Sequence, residues 1–304
     1  MSTLPPPTPD AEAGVMGLTE VEPSPVEETP VEFKGDYFPT ATTNRTSTLG
    51  LGNHGPVYYL SRVQRYSSYA FTVFASLHLA NTSLIPFVTR SVSEGNRYLL
   101  LTRPFYQSVL TEPLLIALPL VAHISSGIAL RFYRRSQALK RYGAETHRDR
   151  KTIPWPALSG TSALGYMLMP LVGFHVWTTR GLPVYLHGDS SLINLSYISH
   201  GFSHHPFVSF AGFAALVGVG VWHGVWGWGK WLGLTPAYVS PSESQRHLIR
   251  KRRWYGINAI AGIVTALWLS GGLGIVGRDG ETTGWIGREF DELYNSIPLL
   301  SRLP

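Results

Sequence analysis

Residues 122–131 read AHISSGIALR inside an otherwise apolar segment, which puts His123 in mid-membrane. Gly127 follows one helical turn later and removes the side chain from the same face, so a flat, bulky partner can lie against the backbone. Arg131 lies two turns beyond His123. Residues 222–230 read WHGVWGWGK and repeat the pattern, with His223, Gly227 and Lys230 at nearly the same offsets. His78 and His175 form a further pair 97 residues apart, each followed eight positions later by a proline, Pro86 and Pro183. Recurrence of this kind marks a tandem duplication. The fold class read from it is an all-α membrane protein, a five-transmembrane-helix bundle built on a duplicated two-helix hairpin.

Composition agrees. Only 14% of residues are charged, against roughly 25% in soluble domains. With no cysteine, the chain excludes disulfides, thiolate metal sites, iron–sulfur clusters and covalent c-type haem, so any haem or metal falls to histidine, carboxylate or methionine. The five expected spans are 66–89, 113–130, 156–179, 206–229 and 254–277, each long enough to cross roughly 30 Å of hydrocarbon. Eight Arg/Lys lie in 131–153 and six in 230–253, while 182–205 has none. The positive-inside rule therefore faces the two basic loops and the N-terminal tail to the cytosol.

Residues 1–60 hold nine of the 22 prolines, and the first 36 carry eight acidic residues against Lys34 alone. Such a segment reads as a disordered tail, too acidic for an Arg-rich transit peptide, which leaves targeting to the spans themselves. Within it LTEVEPSPV, residues 18–26, frames a Pro-x-Pro pair with Leu18, Val21 and Val26. That composition suits either docking as an extended peptide or a plain Pro/Glu-rich linker. The domain division is thus the tail 1–60, the membrane bundle 61–277 and a short amphipathic segment 278–304. In that last segment Trp285, Ile286, Phe290, Leu293, Tyr294 and Ile297 share one helical face, and Arg288, Glu289, Asp291 and Glu292 lie opposite.

Two accounts compete for the four span histidines. One is helix-packing hydrogen bonds. The other is bis-histidine b-type haem, with neutral imidazoles on iron, glycine admitting the macrocycle, and Arg131 and Lys230 meeting the propionates. His123 and His223 lie eight and seven residues from those bases, roughly 10–12 Å along the helix, so their depths match. That predicts His123 with His223 for one haem and His78 with His175 for another; pairing within a hairpin, His78 with His123, is the alternative. HGFSHH, residues 200–205, offers a weaker metal motif with no carboxylate nearer in sequence than Asp189. There is no nucleotide loop, no Ser/His/Asp arrangement and no buried carboxylate pair, so no enzymatic step and no nucleic-acid partner is expected.

The His-x-x-x-Gly pattern on spans two and four, over residues 62–230, resembles the membrane anchors of succinate dehydrogenase and fumarate reductase. A resemblance over nearly the whole chain is carried by RYSSYAFTVFASLHLANT (65–82), AHISSGIALRFYRR and the acidic tail with LTEVEPSPV: these are similar to the fungal mitochondrial outer-membrane adaptors of the MCP family. That resemblance implies a multi-pass outer-membrane protein acting in lipid homeostasis, whose Pro-x-Pro tail recruits a VPS-type bridge-like lipid-transfer protein. Matched onto this sequence, the docking residues are Leu18, Val21, Pro23, Pro25 and Val26. The competing functions are an electron-transfer subunit holding haem, and a lipid scramblase using Ser67, Ser68, Thr72, Ser76, Asn81 and Thr82 as a polar groove among membrane lipids.

Overall fold

Pro56 opens the first helix, because its ring presets a helical φ and its missing N–H falls where no intrahelical partner exists. The computed structural model describes residues 54–240 and 245–298; the tail motif at residues 18–26 lies outside them. The first helix therefore begins inside the stretch read as tail. Helix α1 spans Pro56–Thr89 and widens into a π-turn at Ala80–Leu84. Pro86 explains the widening: it offers no N–H to the Thr82 carbonyl and its ring crowds that group. Thr82 Oγ1 donates to the His78 carbonyl at 2.7 Å. Around His175 the same device recurs, with a π-turn at Trp177–Gly181 ahead of Pro183 and Thr179 Oγ1 donating to the His175 carbonyl at 2.6 Å. The duplication thus reaches single hydrogen bonds.

The remaining helices are α2 (Val92–Tyr106), α3 (Pro113–Arg141), α4 (His147–Thr152), α5 (Gly160–Val176), α6 (Leu182–His187), α7 (Leu195–His204), α8 (Pro206–Trp231), α9 (Arg246–Gly272) and α10 (Gly284–Asn295). The described residues contain no strand. Four helical runs are long and apolar enough to cross a membrane: Pro56–Thr89, Pro113–Arg141, Pro206–Tyr238 and Arg246–Arg278. Their outer faces expose Val73, Val121, Ile260 and Ile263, a surface whose natural solvent is lipid. The third expected span, 156–179, is not among the four. Helix α5 begins only at Gly160, where Ser159 Oγ accepts from the Ser162 N–H, and the wide turn after it carries Thr178, Thr179 and Arg180.

Helix α1 packs along α3, α5 along α8, and α9 against both α8 and the π-turn of α1. Asn258 clamps α9 to α8 by accepting from the Trp222 and Trp226 indoles at 3.1 and 3.2 Å. Ala261 is fully buried at the same crossing beside Val217 and Val221. Where α9 meets α1, Ser83 Oγ donates to the Leu267 and Trp268 carbonyls at 3.1 and 2.7 Å. Small residues and polar glue of this kind hold membrane helices together without a hydrophobic driving force.

Helices α2, α6, α7 and α10 cap the end of the bundle opposite the basic loops; α2, α6 and α7 lie in stretches that the hydropathy pattern assigns to connecting loops, and α10 lies in the amphipathic segment. Arg180 makes a two-pronged ion pair with Glu112, at 2.7 and 2.5 Å. Arg103 donates to the carbonyls of Ser190, Ser191 and Ile193. Helix α10 buries Phe290 and Leu293, with Ile297 just beyond its end, against Leu182, Ile193 and Tyr197. Trp285, placed by periodicity on the same face, is instead 59% exposed, because it sits in the first turn beyond the edge of the cap. Burial pushes the Tyr197 phenol up to about 12, so it stays a neutral donor to the Thr178 carbonyl.

Candidate cofactor site at the paired histidines

Gln64 and Thr161 occupy matching places on α1 and α5, 97 residues apart like His78 and His175. Each presents its carbonyl to a histidine on the neighbouring helix. His123 Nδ1 donates to Gln64 O at 3.0 Å, and His223 Nδ1 donates to Thr161 O at 2.9 Å. A carbonyl only accepts, so each neutral ring keeps its proton on Nδ1 and its lone pair on Nε2. This outer contact is the one that fixes the tautomer of metal-bound imidazoles.

The two rings lie 6.0 Å apart between centroids at 86°. His78 and His175 show the same 6.0 Å spacing at 66°. Two metal–nitrogen bonds of about 2 Å and two ring radii of about 1 Å sum to ~6 Å, the spacing of imidazoles on opposite sides of one metal. An edge-to-face ring pair packs at a similar distance, so the spacing alone does not choose between them. Hydrogen bonding does more: no described residue bonds to the ring nitrogens of His78 or His175, which are walled by Phe74 at 5.5 Å and Phe213 at 5.8 Å. The structure therefore brings together the pairs expected from matched depth. Pairing His78 with His123 is not seen among the described ring contacts.

The flanking residues divide. A Cβ at Gly227 would meet open space, whereas one at Gly127 would meet the Gln64 side-chain amide at 2.8 Å. Gln64 thus fills the Gly127 notch with the mobile end of its side chain. Gly165, overlooked by the histidine pattern, is where a Cβ would strike the His223 ring at 2.8 Å. Its position four residues after Thr161 was the available signal. Arg131 donates to the Pro156 carbonyl at 3.1 Å and lies over the Trp155 ring, while Lys230 lies over Trp231. Arg131 therefore spends one donor on holding the loop before α5. Of the residues suggested as a polar groove, Ser67, Ser68, Thr72 and Thr82 donate to carbonyls of their own helix and Asn81 donates to Thr102.

The HGFSHH motif finds carboxylates that sequence distance hid. His200 is 2% exposed, its Nε2 meets Asp291 Oδ1 at 2.9 Å, and its Nδ1 accepts from the Thr282 N–H at 3.2 Å. His204 lies 3.4 Å from Glu281. Because Nδ1 accepts a backbone donor, the neutral His200 ring carries its proton on Nε2 and gives it to Asp291. That tautomer makes His200 a strut tying α7 to α10, opposite in sense to His123 and His223.

No curated protein and no solved structure matches the chain, and the resemblance to the respiratory anchors is not shown. Residues 170–281 match the family model described as MDM10-complementing protein 1, transmembrane domain, a stretch that supplies one histidine of each pair, His175 and His223. Over that stretch, from the end of α5 to the turn before α10, the chain is similar to the transmembrane domain of the MDM10-complementing protein 1 family.

Proposed function

We propose that this chain is a mitochondrial outer-membrane adaptor that recruits a VPS-type lipid-transfer protein through Pro23 and Pro25 of its tail. The family match over 170–281 carries this reading. The apolar outer faces of the bundle and the docking composition of LTEVEPSPV agree with it. Replacing Pro23 and Pro25 with alanine is expected to abolish recruitment of the partner to mitochondria while membrane insertion is unchanged. Undiminished recruitment would sink the assignment.

In this reading α5, continued through its wide turn, is the fifth span, since it packs on α8 as α1 packs on α3. Tags in 134–151 are then expected to be digested by protease on intact mitochondria along with the tail, and a tag after Pro304 to be protected. Digestion of the C-terminal tag would mean an even number of spans.

A second reading concerns the bundle itself and is favoured by the two histidine pairs at 6.0 Å. The pairs fit b-type haem, which His123 with His223 and His78 with His175 would hold. Such a group supplies one-electron chemistry when bound. The protein's own part is to orient: the Gln64 and Thr161 carbonyls hold Nδ1–H and keep each Nε2 lone pair available, and Phe74 and Phe213 exclude water. Self-bonded hydroxyls on α1 make the scramblase groove the weaker alternative.

A further inference from the structure

Helix α9 starts with five residues on one continuous face, Arg246, His247, Arg250, Lys251 and Trp254, at spacings i, i+1, i+4, i+5 and i+8. With Pro236 opposite, they line an open depression of about 320 Å³, within the size range of small-molecule sites. Its far wall is held in place from the same helix: Arg253 donates to the Gly233 carbonyl at 3.0 Å and the Thr235 carbonyl at 3.5 Å, fixing the turn that carries Pro236. No described carboxylate pairs with Arg246, His247, Arg250 or Lys251, all of which are exposed. Two basic residues of the other basic loop are engaged with the backbone instead. Arg135 is buried and donates to the Arg150, Ile153 and Pro154 carbonyls, and Arg131 serves Pro156.

We propose that this depression binds the phosphate of an anionic lipid headgroup. Three observations converge on that chemistry. The cations have no carboxylate partner among the described residues and point to an anion, and their convergence on one cavity distinguishes them from a diffuse basic loop whose only role is topology. The site lies at the N-terminal end of α9, where the helix dipole also favours negative charge. Trp254 and Tyr255 follow directly and open the apolar run of a membrane-crossing helix, which sets the depression at headgroup level, where aromatic belts sit. A lipid phosphate reaches this place with its chains already in the bilayer. The choline of phosphatidylcholine is repelled by the same cations, so the site selects phosphatidate or another headgroup of net negative charge.

The test uses the full chain in neutral detergent, with short-chain phosphatidic acid, short-chain phosphatidylcholine and inorganic phosphate as probes and bound ligand read by native mass spectrometry. Phosphatidic acid is expected to be retained in preference to both others. At about a fivefold loss in affinity per surface cation removed, Arg250→Gln with Lys251→Gln is expected to weaken retention about thirtyfold. Lys140→Gln with Arg141→Gln removes the same charge from the other basic loop and is expected to leave retention unchanged. Both pairs are surface substitutions on helices, and far-UV circular dichroism checks that they fold. Equal retention of phosphatidylcholine, equally tight binding of inorganic phosphate, or equal loss in the two double variants each overturns the proposal: the first two deny lipid phosphate as the ligand, the third denies the depression as its place.

Discussion

His123→Ala, purified with haem available, loses one of two low-spin b-type absorbance components and keeps the other. The expectation follows from the division of the four histidines into two pairs on different helix segments, each pair spaced 6.0 Å. A low-spin b-type spectrum would require two strong-field ligands, which the two imidazoles of each pair would supply, and the chain has no cysteine to substitute for one. His223→Ala is expected to remove the same component as His123→Ala, and His78→Ala the other. Gly165→Ala is a milder probe of the same arrangement. Its methyl would strike the His223 ring at 2.8 Å, so it shifts the component that His223→Ala removes. A folded bundle that takes up no haem returns the histidines to ring packing. Both components surviving the separate His123 and His223 substitutions would show that the pairing is wrong.

Gly271→Ala is expected to cost about 3 kcal/mol of stability, from overpacking together with two lost hydrogen bonds. A Cβ at Gly271 would overlap the Ser83 carbonyl oxygen, which is backbone and has no rotamer to move into. Accommodating it requires α9 to lift off the π-turn of α1, which breaks the bonds from Ser83 Oγ to the Leu267 and Trp268 carbonyls. Ser83→Ala separates the contributions, since it removes the two bonds without adding volume and is expected to cost about 1–2 kcal/mol. Thermal unfolding of the detergent-solubilised protein, followed by tryptophan fluorescence, orders the two variants. If Gly271→Ala melts with the parent protein, the close approach of α1 and α9 is not a determinant of the bundle.

Much of the bundle was legible because its signals are local. Hydropathy windows find runs of apolar residues, and the four long helices coincide with four of the five windows. The fifth, 156–179, was read as a span but is not among the four long helices: α5 begins only at Gly160 and the wide turn after it carries Thr178, Thr179 and Arg180. Of the cap, α10 was legible as an amphipathic helical face, but α2, α6 and α7 were not. Its helices are short, and what orders them is a set of contacts such as Arg180 with Glu112, 68 residues apart, and Asn96 with Leu195, 99 apart. Propensity within a window carries no trace of such partners.

The histidines show the same boundary most clearly. Repeat position and depth along a helix depend on residue spacing, which is why sequence by itself made His123 with His223 and His78 with His175 the expected pairs, with the hairpin pairing as the alternative, and the ring contacts chose between them. Imidazole tautomers depend on which group faces each nitrogen, and only the tertiary structure decided that. It set Gln64 O against His123 and Thr161 O against His223, turning Nε2 into the free lone pair. At His200 it set a backbone N–H against Nδ1 and Asp291 against Nε2, and the same side chain became a strut. A hydrogen-bond partner is chosen in space, across 59 to 91 residues of chain, and helical periodicity repeats only every 3.6.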